Sequence, residues 1–151
     1  MSSLILCEKY SRWAAAFRRE LRKPPHEAAI KIMEVRSLAQ CERELHASPH
    51  SMAAVEVIPQ NLAAVCRSLR ACSDLFPHVR FVALAARGME PQELTLREAG
   101  AIQVIFSPRS LASLRRMASR HLARAPQEGL KLEEAIRNRL PWQESHARRP
   151  F

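Results

Sequence analysis

Apolar residues gather in five short runs, Leu4–Leu6, Ile30–Val35, Met52–Val57, Val79–Leu84 and Ile102–Phe106, and the stretches between them carry a helical period. Four of the runs are nearly continuous, as expected of strands buried on both faces. The second alternates in part, with Lys31 and Glu34 among Ile30, Ile32 and Val35, which suits a strand nearer a sheet edge. The first helix is expected over residues 11–23, with Trp13, Ala14, Phe17 and Leu21 as its apolar stripe and Pro24-Pro25 as its stop. Ser37 is placed to cap a second helix, residues 38–46, because its hydroxyl can accept from an orphan amide of the first turn. A third helix is expected over 61–75, with Leu62, Val65, Leu69 and Cys72 inward. A fourth, 90–98, has Pro91 in its first turn and Gly100 just past its end. The fifth, 110–124, turns Leu111, Leu114, Met117 or Ala118, and Leu122 inward.

Five β–α units with short connections predict an α/β fold: a five-stranded parallel sheet in the order 2-1-3-4-5, helices on both faces, of the flavodoxin-like type. Such sheets bind ligands at the carboxyl ends of their strands. Cys7, Glu8, Glu56, Ala85 and Ser107 fall at that edge. Residues 1–124 form this domain in our reading, and 125–151 an extension: Pro126 breaks the pattern, and Leu130, Leu132, Ile136 and Leu140 allow one short amphipathic helix before Pro141-Trp142 and a basic end.

Composition narrows the chemistry. The chain has 151 residues, 47% of them apolar, enough for a real core, and three glycines, too few for a Gly-rich phosphate cradle. No apolar run approaches the roughly 20 residues of a membrane span. The first residues carry no basic leader, so no signal peptide and a cytoplasmic location are expected. None of the four cysteines forms a C-x-x-C pair, which reads as reduced, buried thiols. Cys41, His46 and His50 have a loose metal-like spacing but lack the paired four-ligand pattern of a structural zinc site. No metal or cofactor is expected. The net charge of +9 admits anionic partners of several kinds.

On this pattern the chain resembles the receiver domain of two-component response regulators over residues 3–124. The likeness rests on the spacing of the units, on Arg97-Glu98-Ala99-Gly100-Ala101 before the last strand, and on Ser107-Pro108 after it. The resemblance sets Cys7 and Glu8 at the family's acidic pair, Glu56 at its phosphoacceptor aspartate, Ala85 at its Ser/Thr and Ser107 at its lysine, with Pro108 retained. Phosphoryl transfer needs an in-line carboxylate, a hard cation and donors for the equatorial oxygens. Magnesium wants oxygen ligands in tight octahedral geometry, and Cys7 offers sulfur. Ser107 lacks the lysine's charge, and Ala85 cannot donate. Glu56 reaches about 1.5 Å further than an aspartate, and a misplacement of about 1 Å can cost roughly 10²-fold. The resemblance therefore implies a pseudo-receiver, not an enzyme.

Glu56 reads two ways: as an imitation of the phosphorylated state, or as an edge carboxylate that is solvated or paired with Lys9 or Arg87. Glu8 and Glu56 alone make a poor cation site. The expected output is contact with a protein partner, acidic by charge complementarity, or with a second copy. The expected surface is Arg109, Arg115, Arg116, Arg120 and Arg124 of the fifth helix region together with Trp142. Two alternatives stand beside this: a basic nucleic-acid-binding domain, which the same arginines would serve though stacking aromatics are sparse, and an atypical phosphoacceptor using Glu56.

Overall fold

The computed structural model describes residues 2–24 and 29–126. The elements run β1 Leu4–Cys7, α1 Arg12–Leu21, β2 Ile32–Val35, α2 Leu38–Ala47, β3 Met52–Val57, α3 Leu62–Leu75, β4 Arg80–Ala85, α4 Glu93–Ala99, β5 Ala101–Ile105 and α5 Ala112–Ala123. The five strands are parallel and ordered β2-β1-β3-β4-β5, the arrangement that the alternation of runs predicts. The proposed terminal helix and Trp142 lie outside the described residues.

Strand periodicity sorts the core into two layers. Ile5, Cys7, Ala53, Val55, Val57, Ala83 and Ala85 pack toward α2, α3 and α4. Leu4, Leu6, Met52, Ala54, Val82 and Leu84 pack toward α1 and α5, against Trp13, Phe17, Leu114 and Ala118. Successive side chains of a strand point to opposite faces, so both helical layers are served by the same strands, and this explains their near-continuous apolar composition.

Local chemistry sets the boundaries. Ser37 accepts from the Gln40 amide at 3.2 Å, so the predicted cap of α2 is present. The single fourth helix expected from sequence is split: a 3-10 turn, Glu90–Gln92, with Pro91 in its first positions, leads into the shorter α4. Pro108–Ser110 forms a similar turn before α5. Gly100 takes φ +125°, and a Cβ there would stand 2.5 Å from the Ser73 hydroxyl, so glycine is required both by conformation and by space. The β4–β5 register passes from Phe81↔Ala101 to Val82↔Gln103. The skipped Ile102 bulges outward, 43% exposed, and Arg97 donates to its carbonyl at 3.1 Å. A bulge of this kind blunts a sheet edge against pairing with other strands.

Candidate functional site

At the carboxyl edge of the sheet a cleft of about 1020 Å³ opens between α1 and the segments that follow β3, β4 and β5. Glu56, Ala85, Ser107 and Pro108 line it, along with Arg109. Cys7 and Glu8 do not. The convergence of all these side chains expected from sequence is therefore corrected at two positions.

Cys7 fails to reach the cleft because of strand parity. It is in register with Val55, one residue before Glu56, so its thiol and the Glu56 carboxylate leave the sheet on opposite faces. Cys7 is buried among Val35, Cys41 and Leu45. Its partner is Cys41: the hydrogen bond between the two thiols, then burial, raises the Cys41 thiol far above its ordinary value of 9.0. The Cys41, His46 and His50 spacing likewise disperses. Cys41 is buried, the His46 ring meets Phe76 edge-on at 4.8 Å, and His50 stacks on His78 at 5.0 Å.

Glu8 is redirected by the helix that follows it. It is 2% exposed, and both its oxygens accept from orphan amides of the first turn of α1, Oε2 from Trp13 and Oε1 from Ala14, each at 2.8 Å. A helix start leaves its first amides without intrahelical partners and carries a partial positive charge, so a carboxylate there is strongly held. Ser11 occupies the N-cap position but makes no capping bond. Its hydroxyl donates instead to Glu34, which Arg18 and Arg36 also bind. The Arg18 guanidinium first, then the Ser11 hydroxyl, hold the Glu34 carboxyl below its ordinary value.

Glu56 is half-buried, and its carboxylate accepts from the Lys9 backbone amide at 3.4 Å. No ammonium or guanidinium of the described residues pairs with it. Lys9 turns its own ammonium over the Tyr10 ring, 5.4 Å from the centroid, so the expected Lys9 or Arg87 ion pair is absent among the described residues. Ala85 is fully buried at the end of β4. The Ser107 hydroxyl accepts from the Arg109 amide at 3.2 Å, so it works as the cap of the short turn after β5.

These side chains do not fit a magnesium ion. Such a site needs several free carboxylate oxygens aimed at one point. Here both Glu8 oxygens are occupied, Cys7 is on the far face, and Glu56 shares the cleft lining with Arg12, Arg19, Lys23, Arg87 and Arg109. Of the two other carboxylates in that lining, Glu20 is paired with Lys23 and Glu90 stands on the turn after β4. Among the described residues no group of three or more His, Cys, Asp or Glu side chains is arranged to hold a metal ion.

The expected interface loses one member. Arg115 is 7% exposed and reaches from α5 under the end of α1, donating to the carbonyls of Glu20 at 3.3 Å and Lys23 at 3.1 Å. It also lies 3.8 Å from the buried Glu20 carboxylate, which Lys23 holds at 2.7 Å. Arg115 is thus an internal tie to the backbone at the end of α1: it joins the Lys23 amide on the Glu20 carbonyl and bonds the Lys23 carbonyl just past the helix. Sequence placed it on the solvated face because arginine is rarely buried. Glu20, buried with it, was the missed partner; a carboxylate in line with Trp13 and Phe17 on a helix was the available signal. Arg109, Arg116, Arg120 and Arg124 are exposed. Two apolar side chains of α4 and β5 are also exposed, Leu94 at 67% and Ile102 at 43%, and Ile102 lines a cavity with Arg120 and Arg124.

Comparison with known proteins supports the fold alone. No protein-family model matches the chain, and no curated protein matches it. Among solved structures it is similar to a CheY-like protein (tadZ) of Pseudomonas aeruginosa, with 17% identity and a TM-score of 0.63 over 84% of this chain and 98% of that one. It is similar to a response regulator receiver domain protein of Clostridium thermocellum, with 13% identity and a TM-score of 0.59 over 82% of this chain and 98% of the other. It also resembles a protein of Burkholderia pseudomallei described as pilus assembly-related, with 14% identity and a TM-score of 0.58 over 80% of this chain and 91% of that one. The chain has the receiver fold.

Proposed function

We propose that this protein is a pseudo-receiver, a signalling or scaffolding module that does not transfer phosphoryl groups and acts by protein contact. The observation that carries this reading is the placement of Glu8. A receiver's metal corner needs free carboxylates, and this one is fixed by two backbone amides at 2.8 Å. The basic cleft rim, the methyl of Ala85 and the capping role of Ser107 support the same reading.

The contact surface we assign runs over α4, β5 and α5. Arg116 and Arg120 of α5, Leu94 of α4 and Ile102 of β5 are exposed on these elements, a mixture of charge and apolar surface suited to a protein partner with acidic groups around an apolar anchor. A second copy could occupy it as a homodimer. The pilus-assembly description of one structural neighbour gives the first class of partner to try. Residues 125–151, with Trp142, are proposed as a second element of the same interface, and the cytoplasm as its place of action. Among the described residues no helix is long and apolar enough to cross a membrane.

Two measurements test the reading. Incubation of the full chain with acetyl phosphate and magnesium, followed by intact-mass analysis, is expected to show no phosphoryl adduct; a stoichiometric adduct lost in Glu56→Gln would refute the inactive assignment and favour the phosphoacceptor alternative. Partner capture or self-association is expected to fail in Leu94→Asp and Arg116→Glu while folding is retained. Retention of binding in both variants rejects the surface, and sequence-selective, salt-tolerant binding of DNA or RNA would favour the nucleic-acid alternative.

A further inference from the structure

At the opposite edge of the sheet, where the strands begin, lies a second and smaller cavity of about 390 Å³. Its walls come from four separate segments. His50 stands in the turn before β3, His78 in the turn before β4, Arg80 at the first position of β4, and Arg120 and His121 in the last turn of α5. The His50 and His78 rings stack with 24° between their planes. Among the described residues that line this cavity, none is a carboxylate.

His121 fastens the cavity together. Its Nε2 lies 3.0 Å from the His50 carbonyl and 3.1 Å from the Ser51 carbonyl. Both partners are acceptors only, so Nε2 carries the proton and donates to them. That bond holds the end of α5 against the turn before β3 and keeps Arg120 beside the histidine pair. Helix-end electrostatics accounts for Arg120 and His121, since cations are favoured in a last turn. It does not account for Arg80, which opens a strand, or for its approach to them. Neither Arg80 nor Arg120 has a carboxylate partner among the described residues.

We propose that this cavity is a binding site for a phosphate group carried by a small molecule, with the Arg80 and Arg120 guanidinium groups as its charged clamps and the His50 and His78 imidazoles as hydrogen-bond donors. Guanidinium forks match phosphate oxygens in pairs, and a neutral imidazole still offers one N–H. The volume lies within the range of small-ligand sites. The assignment is independent of the carboxyl-edge cleft; it shares Arg120 and Ile102 with the contact surface assigned above, whereas Arg80, His50 and His78 belong to this cavity alone.

The test is calorimetric titration of the full chain with sodium pyrophosphate, and separately with vesicles of phosphatidylcholine containing phosphatidic acid, at ionic strength matched with sodium chloride. The expected result is saturable binding of pyrophosphate, weakened about tenfold or more in Arg80→Gln and again in Arg120→Gln, and held within about twofold in Arg67→Gln, which removes the same charge from the exposed face of α3 outside the cavity. Binding to vesicles that is lost in the same two variants, with none to pyrophosphate, assigns the phosphate to a lipid headgroup and overturns the soluble-ligand proposal. Absence of saturable binding in both arms overturns it too, as does pyrophosphate affinity unchanged in the Arg80→Gln/Arg120→Gln double variant. Both arginines are exposed, so folding is expected to survive, and far-ultraviolet circular dichroism verifies it.

Discussion

Replacing Glu8 by alanine tests the central geometric claim. The substitution removes the acceptor for two amides, those of Trp13 and Ala14, each held at 2.8 Å inside a region where Glu8 is 2% exposed. A hydrogen bond to a charged group contributes roughly 1.5–3 kcal/mol, and a buried donor left without a partner costs about 1–3 kcal/mol. Part of this is offset because the variant no longer buries a carboxylate. The expected loss is therefore about 3 kcal/mol for Glu8→Ala, and less for Glu8→Gln, which retains one acceptor oxygen. In urea, with a slope of about 2 kcal/mol/M, the alanine variant should unfold about 1.5 M earlier without a change in slope. Circular dichroism of the full chain at matched protein concentration gives the midpoint. Adding about 10 mM magnesium should move neither protein, since a ligand stabilises only what it binds. A midpoint shift under about 0.3 M for Glu8→Ala, or magnesium protection present in the native chain and lost in the variant, would refute the argument.

Three further outcomes follow from the structure. Arg115→Met is expected to cost about 2–3 kcal/mol by removing the donor to the Lys23 carbonyl and leaving the buried Glu20 carboxylate with Lys23 alone, whereas Arg116→Ala should stay within about 0.5 kcal/mol in the same urea experiment. Gly100→Ala should destabilise by about 1–3 kcal/mol, and Ser73→Ala in the same chain should recover only part of it, because the clash is removed while the positive φ remains. Burial holds the His121 imidazole below its ordinary value of 6.5. Below that pH the unfolded chain takes up a proton that the folded chain resists, so stability falls as the solution is acidified from 6.5 toward the depressed folded value. His121→Gln keeps a donor for the two carbonyls and removes the titration, so denaturation midpoints measured across that window should show a shallower decline.

How much was legible in the chain differs between fold and site. The runs from Leu4 to Phe106 carry their own period, and burial on both sides of a parallel sheet leaves little choice of order, so the architecture could be read directly. The Ser37 cap and the Gly100 terminus were also legible, because a capping hydroxyl and a left-handed glycine act within a few residues of themselves. The candidate site was legible only as an edge. Strand parity sends Leu4 and Leu6 to one layer and Ile5 and Cys7 to the other, but it separates Cys7 from Glu56 only once the β1–β3 register sets Cys7 beside Val55, and an all-apolar strand carries no mark of that register.

Tertiary structure alone decided what each charged side chain does. Glu8 looks like a pocket carboxylate until α1 presents its amides, and Arg115 looks like surface until α5 crosses the end of α1. The gathering of His50, His78, Arg80 and Arg120 joins residues as far apart as 70 positions (120 − 50), and no local pattern encodes it. The physical reason is range. Apolar burial and backbone hydrogen bonding repeat along the chain and leave a periodic trace, whereas a charge is assigned its role by whichever partner the folded chain brings within a few ångströms.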